Sequence, residues 1–193
     1  SRQGYLPALL RELGISESSQ TLVFSKTSFH RTKISPRRPR AIYFNDESYV
    51  GYVQDGEVLE ISSIDPRLGA VFYTLDQAKA DHPRLVRQTD ECLQCHASPM
   101  TENVPGHMVR SVFPRRSGNP VLSAGTFRTT YQSPLEERWG GWYVTGTHGA
   151  QRHMGNAFLS GEDPARFDRD SGANVTDLHG RFDFAPYLTP HSD

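Results

Sequence analysis

Leu6, Leu9, Leu10 and Leu13 recur at three- and four-residue intervals, and Gly14 follows them. That spacing predicts a short helix over residues 5–14 with one apolar side and a glycine stop. The pattern then changes. Short apolar runs at 20–26 (QTLVFSK), 41–45 (AIYFN), 48–54 (SYVGYVQ), 57–64 (EVLEISSI) and 69–75 (GAVFYTL) are separated by polar residues, among them Asp46-Glu47 and Asp55-Gly56. Runs of this length and composition, bounded by turn residues, read as strands of a β-meander. Residues 76–90 are expected to be helical in part. Residues 107–114 (HMVRSVFP) and 120–130 (PVLSAGTFRTT) flank Arg115-Arg116-Ser117-Gly118-Asn119 and read as a hairpin, with 140–148 (GGWYVTGTH) as a further strand. Beyond 149 the chain is polar and weakly periodic, and 157–193 is expected to be an extended tail lying over the rest. The stretch 30–40 (HRTKISPRRPR) is a basic, proline-broken loop: either a solvated connection or an anion clamp.

A chain of 193 residues is of single-domain size and long enough to bury a core. The formal net charge is −1, so no global field directs the chain to nucleic acid or to an anionic membrane. Lys26, Lys33 and Lys79 are the only lysines among 21 basic residues. The arginines that make up the rest suit carboxylates and phosphates because their planar fork binds bidentately. No apolar run is long enough to cross a membrane as a helix. The first residue is Ser1 and no signal peptide precedes it, so the chain is expected to be processed or a fragment. There is no internal repeat, no phosphate loop and no Ser/His/Asp arrangement.

Both cysteines lie in one short stretch, TDECLQCHAS (89–98), spaced C-x-x-C with His96 directly behind. A redox dithiol would open a helix within a βαβ unit, which is missing here. A structural zinc site would need two more ligands with paired spacing. C-x-x-C-H has a mechanism of its own: each cysteine adds to one haem vinyl group as a thioether, and the next histidine ligates the iron. Cys92 and Cys95 are therefore expected to attach one haem c, with His96 as the proximal ligand. Haem attachment to such pairs takes place outside the energy-transducing membrane, so a periplasmic, exported protein is expected.

Small cytochromes carry the motif near the N-terminus among helices. Here 91 residues precede Cys92 and read mainly as strands. The expected fold is α+β: an antiparallel sheet, PAS-like in layout, with few short helices and long loops. One haem c domain spans 1–193, comprising an N-terminal helix (1–20), a β-rich half (21–90), a haem-binding half (91–156) and the tail (157–193). The blocks FSKTSFHRTKISPRRPRAIYFND, YVGYVQ, DPRLGAVFYTLDQ, TDECLQCHAS, PGHMVRSVFP, ERWGGWYVTGTHG and RHMGN resemble a family of mostly uncharacterised bacterial monohaem cytochrome c proteins, often found in planctomycetes. The resemblance covers residues 22–193. It implies haem c, export and a helical continuation beyond residue 193, which would make this chain truncated. It implies no particular reaction.

Met100, His107, Met108, His148, His153 and Met154 are the candidates for the far side of the iron. Met100 is too close to His96 to cross the ring. Met154, in a glycine-rich loop, is taken first, with His107 and His153 as alternatives; His148, Met108 or an open position complete the set. A methionine would raise the reduction potential relative to a second histidine. Trp139 and Trp142 straddle two glycines and either stack on the haem or pack in the sheet. Arg110, Arg128 and Arg138 are candidate propionate partners. The expected function is single-electron transfer with a periplasmic redox partner protein and no nucleic acid. A haem-based sensor, or a small peroxidase-like oxidoreductase with an open distal site, is the alternative.

Overall fold

The computed structural model describes residues 2–192. Helix α1 runs from Leu6 to Glu12. It stops as the leucine pattern predicts: Gly14 turns left-handed at φ 62°, and the N–H groups of Ile15 and Gly14 close on the carbonyls of Leu10 and Arg11. Those two bonds, with Ile15 and Leu10 sharing one apolar cluster, form a Schellman stop.

Strands β1 (Thr21–Val23), β2 (Arg40–Phe44), β3 (Ser48–Tyr52), β4 (Val58–Asp65), β5 (Gly69–Asp76) and β6 (Leu85–Gln88) follow. They form an antiparallel meander, and β9 (Trp142–Tyr143) is added outside β1, giving the order β6-β5-β4-β3-β2-β1-β9. The turns fall where they were expected, although the first is capped by Asn45, which was read as the end of a strand. Asn45 Oδ1 accepts the N–H groups of Glu47 and Ser48 between β2 and β3, and Asp55 adopts φ 58° beside Gly56 between β3 and β4. Among the described residues, strands β7 (Val109–Val112) and β8 (Thr126–Thr129) form a separate two-stranded sheet. The mostly antiparallel α+β architecture with few short helices is as expected. The late strands, however, do not gather into one sheet.

Residues 76–90 hold no helix: β6 occupies 85–88. Pro83 supplies no N–H and disfavours the α conformation at His82, so the segment turns and then pairs with β5.

Strand alternation gives the main sheet two faces with different coverings. On one face Leu22, Ala41, Tyr43, Val50, Leu59, Ile61 and Leu75 pack with Leu6 and Leu10 of α1 and with Leu178, Phe182 and Tyr187 of the tail. The tail is firmly anchored. Gln20, with no exposure, donates to the carbonyls of Thr189 and His191 and accepts from Tyr43 Oη. Ser192 Oγ accepts the Leu22 N–H and donates to the Tyr143 carbonyl, tying the chain end to β1 and β9. A second cluster of Phe113, Val121, Met154, Ala157, Leu159 and Phe167 forms beside the β7–β8 pair. No helix among the described residues is long and apolar enough to cross a membrane.

Candidate functional site

The other face of the main sheet carries the cysteine motif. Cross-strand register lines up Phe44, Tyr49, Ser62, Phe72 and Gln88 in one row over β2 to β6. His96 packs on Phe72 with ring centroids 4.7 Å apart, and His107 packs on Tyr49 at 4.4 Å. His107 Nε2 and Ser62 Oγ lie 2.7 Å apart, and the Ala70 N–H donates to the Pro105 carbonyl. Phe44, Ile64 and Val86 belong to the same face and are 39%, 52% and 56% exposed.

Helix α2 is a single turn, Leu93–His96, with Cys92 at its N-cap in helical geometry. Positions 92, 95 and 96 stand three and four residues apart, so the two sulfurs and the imidazole share one side of the turn. Both thiols are free. The loop behind the turn is closed by reciprocal bonds: the Gly106 N–H donates to the His96 carbonyl, 2.9 Å, and His96 Nδ1 meets the Gly106 carbonyl at 2.9 Å. A carbonyl only accepts, so Nδ1 carries the proton, and the lone pair of neutral His96 is on Nε2. This is how a protein fixes the tautomer and direction of a metal-binding histidine. Ser98 Oγ donates to the Cys95 carbonyl, and Thr101 Oγ1 to the His96 carbonyl. Glu102 and Asn103, at φ 58° and 60°, turn the chain back toward the sheet.

Beside Cys92 sits a charged group that sequence reading did not assign to the site. Glu60, on the motif face of β4, pairs with Arg40 of β2 and lies 3.4 Å from His30 Nδ1. Burial alone would raise the Glu60 carboxyl, but Arg40 and His30 outweigh it and hold it at about 2. The Cys92 thiol is raised, by burial first and then by the charges of Glu60 and Glu91. The His107 imidazole is lowered by burial and by its neighbour His96.

The other candidates from the sequence are distributed more widely. His107, Met108, Met100 and Arg128 line one groove of about 270 Å³ next to the motif loop. Arg128 donates to the Met100 carbonyl and stands directly across the β7–β8 pair from Arg110. Two like charges opposite each other destabilise a strand pair unless an anion joins them. Arg138 is engaged with the carbonyls of Ser133 and Tyr131. Trp139 and Trp142 pack edge-to-face on each other, centroids 5.6 Å apart, and Trp142 Nε1 donates to the Arg110 carbonyl. Met154 has no exposure; it belongs to the second apolar cluster, and its sulfur accepts from Ser111 Oγ at 3.6 Å. His153 is 3% exposed. Its Nδ1 accepts the Gly155 N–H, which puts the ring proton on Nε2. His148 packs against it in a tilted arrangement, ring centroids 4.5 Å apart. Of the three distal candidates, His107 is thus the one that shares a ring neighbour, Phe72, with His96.

Comparison with protein-family models, with curated proteins and with solved structures finds no match to this chain.

Proposed function

We propose that this chain is a monohaem c-type cytochrome that exchanges single electrons with a redox partner protein in the periplasm. The observation that carries the reading is the His96–Gly106 bond. It leaves Nε2 bare on the same helical turn that presents two unpaired thiols. The residues fit haem c: Cys92 and Cys95 would hold it by thioethers, and His96 Nε2 would ligate its iron. Haem bound there supplies reversible one-electron exchange at its iron. The protein's own contribution is position and environment. The motif face of the sheet, for which a PAS-like layout was expected, offers Phe72 and Tyr49 as one wall. Gly106 orients His96, and Arg128 with Arg110 offers charge to propionates. His107 is the distal candidate carried into this proposal.

The test is an alkaline pyridine spectrum with an intact mass. A thioether-type haem retained through acid denaturation is expected, and a protein isolated after expression with a haem-attachment system that carries no covalent haem sinks the reading. Replacing His107 by Ala should turn a low-spin ferric spectrum high-spin. One observation favours a second reading. His107 Nε2 already has a partner in Ser62 Oγ, so a distal bond that opens easily would suit a ligand sensor or a small oxidoreductase. Carbon monoxide binding to the reduced protein without displacement of a ligand is the result that selects it.

A further inference from the structure

A second groove, of about 320 Å³, lies at the opposite end of the sheet from the motif and is lined by Arg37, Arg116 and Arg181 above Tyr143 and Phe158. Three segments far apart in the chain bring these guanidinium groups together: the proline-broken loop before β2, the turn between β7 and β8, and the tail. None of the three has a carboxylate within ion-pair distance among the described residues. The cations that do, such as Arg38, Arg40 and Arg115, are paired with Asp55, Glu60 and Glu162.

The arginines are held in place. Arg116 lies over the Phe158 ring at 5.6 Å and Arg181 over the Tyr143 ring at 5.9 Å. Both rings pack against the fully buried Phe24. Arg37 donates through Nη1 to the Gly180 carbonyl at 3.0 Å, and Arg181 through Nη1 to the Asn156 carbonyl at 3.2 Å. A guanidinium has five N–H donors, so each of these bonds fixes the group and leaves most of its donors open. Burial raises the Tyr143 hydroxyl to about 12, and Arg181 and Arg37 pull against that rise, so the positive field reaches the groove floor. Three like charges lining one groove with no carboxylate among them give it a positive potential that favours a bound anion.

We infer that this groove is a binding site for a compact phosphate-class dianion, such as inorganic phosphate or a phosphomonoester. Three guanidiniums from three directions suit a tetrahedral oxyanion, whereas a single carboxylate engages one planar fork. The site is not a propionate pocket of the motif. Tyr143 belongs to the core face of the sheet, turned away from the face that carries the motif, and even from Tyr49 on β3 to β9 the sheet crosses three strand spacings, roughly 14 Å at about 4.8 Å each, so the inference stands apart from the haem reading.

The test is calorimetric titration of the full chain, carrying whatever it holds at Cys92–His96, with inorganic phosphate, glycerol phosphate and succinate. Saturable binding of the two phosphates is expected in the range of about 10 µM to 1 mM. It should weaken with added salt and be at least about tenfold tighter than succinate. Arg116→Gln and Arg181→Gln should each weaken it about tenfold or more, and Arg115→Gln, whose partner is Glu162, should leave it unchanged. Arg116 is exposed, so its variant reports on binding even if Arg181→Gln disturbs the packing over Tyr143. No saturation by either phosphate, equal or tighter binding of succinate, or undiminished binding by Arg116→Gln would overturn the inference.

Discussion

His153 and Glu60 are both buried and both depart from their ordinary acidities, for opposite reasons. Burial, with His148 and Arg152 adding to it, pushes the His153 imidazole down to about 4. The folded state keeps it neutral while the unfolded chain takes up a proton below its ordinary 6.5. Stability is therefore complete above about pH 6.5 and falls between there and about pH 4, by on the order of 2–3 kcal/mol. His153→Asn offers an oxygen to the Gly155 N–H without a titrating ring. It should flatten that part of the curve in urea melts taken from pH 7 to pH 4. Glu60 is depressed, so its contribution is present above the unfolded carboxyl pKa and fades as pH drops from about 4.5 toward 2. Removing its charge at neutral pH strands Arg40, whose Nε already has no partner. Glu60→Gln should cost about 3 kcal/mol at pH 7 in the same melts. Ser111 is wholly buried. It accepts the Gly140 N–H while its hydroxyl proton points to Met154. Ser111→Ala leaves that amide unsatisfied and should cost about 1–3 kcal/mol; a loss below a few tenths would mean the amide finds another acceptor.

At the scale of elements, the helix stop and the strand crossings of glycine make the sharpest predictions. Gly14 has φ 62° and open space around its would-be Cβ, so Gly14→Ala tests conformation alone. It should cost about 1 kcal/mol in thermal melts, with α1 otherwise intact. Gly140 is the reverse case. A Cβ there runs into the Val112 carbonyl, itself the residue whose N–H bonds to Gly140. Gly140→Ala should destabilise by well over that amount, and would show early amide exchange at Val112 if the β7 junction opens first. The meander was legible because β2 and the start of β4 and β5 alternate and because β2, β3 and β4 each run into a turn residue with a known job: Asn45, Asp55 and Asp65. Residues 76–90 were misread as partly helical because a short window does not reveal that β5 has an unpaired edge waiting for β6. Pro83 was the signal against it. The pairing of β9 with β1, 119 positions back at Val23↔Trp142, has no local signal at all.

At the scale of the whole molecule, the sheet separates two sets of side chains, and the tail seals one of them. Gln20, Tyr43 and the carbonyls of Thr189 and His191 make the seal. Gln20→Ala should therefore speed proteolytic clipping after residue 187 before it lowers the melting temperature by much, and a tail that stays resistant would show that Ser192 and Tyr187 suffice. The tail was expected to lie over something, but not that its Leu178, Phe182 and Tyr187 complete the main core. Of the candidate site, Cys92, Cys95 and His96 could be picked out because covalent spacing is a property of the chain. In this chain the C-x-x-C-H pattern lies on a single helical turn. The surroundings could not be picked out. Phe72 and Glu60 reach the motif, and Ser62 and Tyr49 reach His107, only because strand register puts them on one face of the sheet. Met154, taken first from its glycine-rich loop, lies in the second apolar cluster, whereas His107 shares the ring neighbour Phe72 with His96. Local features therefore came from the sequence alone: the helix stop, the strand runs of the meander and the C-x-x-C-H spacing of Cys92, Cys95 and His96. Which face the motif covers, which side chains surround His96 and where three arginines line one groove were decided by tertiary structure, because each depends on burial and pairing between segments up to 182 residues apart, as for Gln3 and Ala185.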